Sequence, residues 1–162
     1  MKPTTSLPAG HQALPGARIL LLGAVWPADL PAMRETDVIP VLFSFEQARE
    51  LAAEARRRGV TLTCHVKVDT GMGRFGLPWP EAAEQIASLH REGGLRMDGL
   101  CTHLAAADKR ESNSAATQVD RFRQVTEACA ARGITFAFKH AANSAAFLAH
   151  PEWDFDGVGA GS

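Results

Sequence analysis

The 162-residue chain contains no tyrosine, and phenylalanine and tryptophan together make up its 7% aromatic content. No phenol of its own can serve as an acid or a base. Its three cysteines, Cys64, Cys101 and Cys129, are an odd number without CxxC spacing. A disulfide framework is thereby excluded, and they read as buried, reduced thiols of a cytosolic protein. Charge of one sign is lacking as well: 17 basic and 18 acidic residues leave a net charge of -1. No broad field draws the chain to nucleic acid or to a membrane surface. The first sixteen residues hold no apolar signal-peptide core, and no apolar run approaches the roughly 18 residues of a spanning helix. The expectation is a cytoplasmic protein whose partners are chosen by a site.

What is present suffices for a core. An apolar fraction of 46% and a charged fraction of 22% are ordinary for one soluble domain of this length. Residues 1–16, with three prolines and two glycines, read as a disordered lead-in, and the folded domain as residues 17–162. From "ARILLLG" onward strands and helices alternate. "ARILLLG" and "VIPVLF" are short apolar runs of the kind buried on both faces of a parallel sheet, and "SFEQARELAAEARRRG" is a helix capped by Ser44 and closed by Gly59. The unit recurs as strand "TLTCHVKV" with helix 79–92, "MDGLCTHL" with helix 114–132, and "ITFAFKHA" with a short helix near 143–149, before a last strand "FDGV". Such order implies parallel pairing, in an open doubly wound sheet or a (β/α)8 barrel. A partial (β/α)8 barrel of about five to six strands is the choice, because "DTGMGRFG", "THLAAAD" and "HAANSAA" each follow a strand and a barrel gathers such loops at one mouth. A whole barrel takes about 250 residues, so this one is incomplete.

Alternation in "HVKVDTGMGRFG" puts His65, Lys67 and Asp69 on one strand face and Val66 and Val68 on the other. Charged side chains facing a barrel interior need partners, so Lys67, Asp69 and Arg74 are expected to form a network, with Gly71, Gly73 and Gly76 permitting a tight path. A solvated turn with an ordinary surface arginine accounts for the same letters. In "KHAANSAA", Asn143 or Ser144 stands at a helix N-terminus where backbone N–H groups suit an anion, although plain capping, which needs no ligand, is the first explanation of either. His103 ends a strand and, taken alone, reads as structural. His65, His103 and His140 lie on separate strands without helical pairing, which argues against a metal site.

"KVDTGMGRFG", "THLAAAD", "HAANSAA" and "FDGV", in this order and spacing, resemble alanine racemase, a pyridoxal 5'-phosphate enzyme of fold type III. The upstream "RILLLGAVWPADL" and "VIPVLFSFEQARELAAEA" are similar to the barrel of that family too. The resemblance implies interconversion of L- and D-alanine for peptidoglycan, in a family of homodimers. It implies that Arg74 bonds the cofactor's phenolic oxygen and orients the substrate carboxylate. Lys67 would be the barrel lysine, often carbamylated, that pairs with this arginine, and His103 would pack beside the pyridine ring. Asn143 and Ser144 would lie at the phosphate end, with Gly161 and Ser162 completing the phosphate cup, and Leu22 would line the ring pocket.

Racemisation needs two bases on opposite faces of the α-carbon, which in this family are the cofactor-bearing lysine and a tyrosine. The chain lacks a "KANAYGHG"-like segment, its lysines being Lys2, Lys67, Lys109 and Lys139, and it has no tyrosine. Gly159 stands where the family usually has an arginine facing the pyridine nitrogen. The resemblance therefore points to an internal piece of the barrel domain, inactive alone, with covalent attachment at the usual lysine ruled out and a tendency of the open barrel edges to self-associate. A non-catalytic module for pyridoxal phosphate or another small phosphate, or a related decarboxylase or racemase, are the alternatives.

Overall fold

A computed structural model describes residues 17–105, 114–150, 153 and 155–159. The expected lead-in, residues 1–16, lies outside them, as do Gly161 and Ser162. Strands β1 (Ile19–Leu21), β2 (Val38–Leu42), β3 (Leu62–Asp69), β5 (Leu95–Cys101), β6 (Phe138–Asn143) and β7 (Gly157–Gly159) lie side by side in chain order, and the two-residue β4 (Leu77–Pro78) hooks back onto β3. Every pairing is parallel. Among the described residues β1 and β7 each pair on one side only, so the sheet is an open part of a barrel.

The helices are α1 (Leu30–Glu35), α2 (Phe45–Arg57), α3 (Trp79–Glu92), α4 (Ser114–Ala130) and α5 (Ser144–Ala149). Helix α2 starts as its sequence predicts: Ser44 is extended, and its Oγ accepts from the Gln47 N–H at 3.1 Å. Its buried residues Ala48, Leu51, Ala52 and Ala55 recur at helical spacing and form one stripe against the sheet. Helix α3 buries Ala82, Ile86 and Leu89 the same way and stops at Gly93, whose φ of 71° suits glycine. These stripes meet Leu62, Cys64, Val66 and Val68 from the outer face of β3 in one core. Each fully buried Leu or Ile there is worth about 1.5–3 kcal/mol.

The opposite face of β3 carries Thr63, His65, Lys67 and Asp69, as alternation requires. Register aligns Val41, His65, Gly99 and Phe138 across four strands, and Lys67, Cys101, His140 and Gly157 in the next tier. The His65 ring lies over Gly99 and the Phe138 ring over Gly157, so that a β-carbon at either glycine would collide with its neighbour. Large rings are thus matched to absent side chains, as a narrow barrel interior demands.

Some expectations are corrected. β1 is only partly buried, and Leu22 beyond it is 73% exposed, because β1 has a neighbour on one side alone. β6 begins at Phe138, although Ile134 and Phe136 before it are buried. The 3-10 turn Pro27–Asp29 and α1 were not foreseen; proline occupies the first turn of both, where a missing N–H costs nothing. The cysteines are free and buried, and burial pushes the Cys64 and Cys101 thiols up to about 12 and Cys129 up to about 11. They are poor nucleophiles.

Candidate functional site

β3 ends in Asp69, and its carboxylate organises the loop that follows. Oδ1 accepts the N–H groups of Gly71 (3.0 Å), Met72 (2.8 Å) and Gly73 (3.2 Å), and Oδ2 accepts that of Arg74 (3.0 Å). The amides can converge because Gly71, Gly73 and Gly76 all adopt positive φ. Gly76 is the tightest point: at φ +143° a β-carbon would stand 2.5 Å from the Asp69 nitrogen. The Gly76 N–H donates to the Phe43 carbonyl at 3.0 Å, which fastens the far end of the loop to β2.

Lys67, Arg74 and His103 lie near enough for their charges to act on one another. The Lys67 amine is held below the usual lysine value, first by burial and then by the Arg74 charge, with Cys101 and Asp69 opposing. His103 is lowered in turn by burial, Lys67 and Arg74. Among the described residues Lys67, Asp69 and Arg74 are joined by no ion pair or side-chain-to-side-chain hydrogen bond, since the Asp69 oxygens are engaged by loop amides, and their coupling is electrostatic. Unmodified Lys67 and Arg74 repel each other, and the exposed guanidinium of Arg74 has no hydrogen-bond or ion-pair partner among the described residues. An unpaired guanidinium close to a lysine and a histidine could receive an anion.

The loops are tied together from below by residues that sequence reading passed over. Gln118 of α4, 1% exposed, donates through Nε2 to the His103 carbonyl (3.0 Å) and Thr70 Oγ1 (3.3 Å), and its Oε1 accepts from the Ala105 N–H (2.8 Å). Thr70 Oγ1 lies 2.8 Å from Thr102 Oγ1, which donates to the Val68 carbonyl at 2.9 Å. Arg121, one turn along α4, donates to the Thr70 carbonyl at 2.8 Å and lies over the Trp79 ring. The loops bearing Arg74 and His103 are thereby held by one buried network. A sequence signal existed: Gln118 sits on the apolar stripe of α4, among Ala115, Val119, Phe122 and Val125.

Asn143 ends β6 and caps α5, with Oδ1 accepting from the Ala146 N–H at 3.0 Å and Nδ2 donating to the Leu104 carbonyl at 3.2 Å. Its side chain is committed to order, as the capping alternative had it. Ser144 is the first residue of α5, its side chain lying outside the described set, and Leu22 follows β1 at the same end of the sheet. Among the described residues no group of three His, Cys, Asp or Glu side chains could hold a metal ion, and no helix is long and apolar enough to cross a membrane.

Comparison with known proteins agrees with this arrangement. The model of the alanine racemase N-terminal domain matches residues 9–162. The alanine racemase of Desulforamulus reducens is 40% identical over 139 residues, covering 85% of this chain and 38% of the relative. The structure of Clostridium difficile alanine racemase in complex with cycloserine superposes with a TM-score of 0.84 at 26% identity, over 93% of this chain and 42% of that one. Bartonella henselae alanine racemase with covalently bound pyridoxal phosphate shares the fold at a TM-score of 0.78 and 21% identity, over 93% and 42% of the two chains. The chain thus spans about two fifths of the length of these relatives. Parallel strands in barrel order, the glycine-turned loop of Arg74 and the match over residues 9–162 together mean that the chain belongs to the alanine racemase N-terminal domain family.

Proposed function

We propose that this barrel segment binds pyridoxal 5'-phosphate without a covalent link at the family's usual lysine, orients the carboxylate of alanine beside it, and does not racemise alanine by itself. The observation that carries this reading is the placement of Lys67, Arg74 and His103 at the C-terminal ends of β3 and β5, near enough for their charges to act on one another, with the Arg74 guanidinium unpaired among the described residues. The donor set suits the group: a planar guanidinium that can fork onto a phenolate or carboxylate, and a largely neutral imidazole to lie against a ring.

When bound, the cofactor supplies an electron sink for the amino acid's α-carbon. The chain's own residues bind and orient. Arg74, fixed through its backbone to Asp69, offers its guanidinium to the anion, and Gln118 keeps the His103 loop in register with it. Asn143 steadies the start of α5, where the phosphate end would lie with Ser144. Moving the α-proton needs two bases, and the chain has no tyrosine and no lysine in a "KANAYGHG"-like setting. We also expect copies to associate through the open edges of β1 and β7.

The test is equilibrium dialysis of the purified chain with pyridoxamine 5'-phosphate, which has the ring and phosphate but no aldehyde, alongside an assay for D-alanine formed from L-alanine. Saturable retention without turnover is expected. Absence of binding overturns the reading, and turnover overturns its claim that the bases are lacking.

A further inference from the structure

We infer that Lys67 is a carbonyl-capturing amine: from the mouth of the open barrel, near the Arg74 guanidinium, its Nζ forms a reversible carbon–nitrogen double bond with an aldehyde that carries an anionic group. The inference rests on the proposed reading that this mouth takes an anionic ligand, and it adds a site of covalent attachment where the family's usual lysine is lacking.

The lysines of this chain are unlike one another. Lys139 Nζ is paired with Asp156 at 2.9 Å, whereas Lys2 and Lys109 lie outside the described residues. Lys67, half-buried on the inner face of β3, makes no side-chain hydrogen bond or ion pair among the described residues. Its surroundings explain why it stays unpaired. Asp69, two residues on, spends both oxygens on the amides of its own loop. Cys101, its register partner on β5, is a buried thiol that remains protonated. Arg74 and His103 add positive or neutral neighbours. An amine that is desolvated and set beside another cation keeps more of its neutral form, and only the neutral form is a nucleophile. Arg74 then has a second role, because it can hold the anionic group of the incoming aldehyde and raise its local concentration at Nζ.

The step balances without any oxidant. The Nζ lone pair attacks the carbonyl carbon, a C–N bond forms, and the carbonyl electron pair moves to oxygen, which takes up a proton. Nζ releases its protons to solvent, the hydroxyl leaves as water after a further protonation, and the C=N bond closes. Amine and aldehyde become an imine and one water. Carbon dioxide, the cap that the family resemblance implies for this lysine, needs the same neutral amine and is therefore a competitor.

The experiment exposes the intact chain to pyridoxal 5'-phosphate at low concentration, reduces with borohydride, and maps the modified lysines by peptide mass spectrometry. Pyridoxamine 5'-phosphate binding is measured in parallel. Labelling of Lys67 at least about tenfold faster than Lys139, slowed by bicarbonate and slowed about tenfold in Arg74→Gln, is the expected result. If pyridoxamine phosphate binds but the label is spread evenly over the lysines, or misses Lys67, the inference is overturned while the proposed function stands. If pyridoxamine phosphate does not bind, the proposed function fails and this inference fails with it.

Discussion

The Asp69 carboxylate accepts the backbone N–H of Arg74 at 3.0 Å, five residues along the chain, while the Arg74 side chain has no hydrogen-bond or ion-pair partner among the described residues. One residue is fixed so that the other's charge stays available. Removing the carboxylate with Asp69→Ala releases four backbone donors at once. The expected cost is about 2–3 kcal/mol, as for hydrogen bonds to a charged group at a partly exposed site. Amide hydrogen exchange should speed up across residues 71–74 and leave α2 unchanged.

Gly76→Ala tests the tightest point of that loop. The substituted residue would have to hold φ near +143° with its β-carbon 2.5 Å from the Asp69 nitrogen. A loss of about 2–3 kcal/mol in urea unfolding is expected, from backbone strain combined with a clash against main chain rather than a movable side chain.

Gln118→Ala strips three hydrogen bonds from the buried tie beneath the two site loops. With the Ala105 N–H and the Thr70 hydroxyl losing partners, about 1–3 kcal/mol should be lost. Gln118→Glu keeps the acceptor for Ala105 but sets a buried carboxyl against the His103 carbonyl, so it should lose at least as much as Gln118→Ala. Denaturant midpoints for the three proteins give that order or refute it.

Acid sensitivity follows from the barrel interior. His65, His140 and Phe138 form a cluster with ring centroids 5.6–6.0 Å apart, and the buried His65 Nδ1 and His140 Nε2 have no hydrogen-bond partner among the described residues. Burial, then His140 and Arg18, push His65 down from 6.5 to about 4, with Asp98 opposing, and burial lowers His140 as well. The folded state therefore binds fewer protons than the unfolded state between these values. Stability is complete above about pH 6.5 and is lost as pH falls toward about 4, by roughly 3 kcal/mol for His65 alone. His65→Leu should flatten this acid limb in pH-dependent unfolding.

How far the sequence could be read depended on the range of the interactions. Ser44, the boundaries of helix 79–92 and the two-faced β3 rest on contacts within a few residues, and each is where local pattern puts it. Prolines at 27 and 31 masked α1, because proline reads as a breaker unless its place in a first turn is noticed. Asp69 was expected to face Lys67 and Arg74, but a short acidic side chain followed by glycines finds amides of its own loop first. The tie from Gln118 to Thr70 joins residues 48 apart, and no spacing rule reaches that far.

Lys67, Arg74 and His103, at the C-terminal ends of the strands, are proposed to form an anion-binding mouth. A groove lined by Thr61, Arg96, Gly133 and Phe136 lies at the opposite ends and serves as an internal control. The most direct test is a nuclear magnetic resonance titration of the isotope-labelled chain with pyridoxamine 5'-phosphate, repeated with Arg74→Gln. Saturable shifts concentrated in residues 67–76 and 102–105 are expected, with affinity reduced about tenfold by the substitution. Shifts centred on the opposite groove, or an affinity indifferent to Arg74, would contradict an anion site at this mouth.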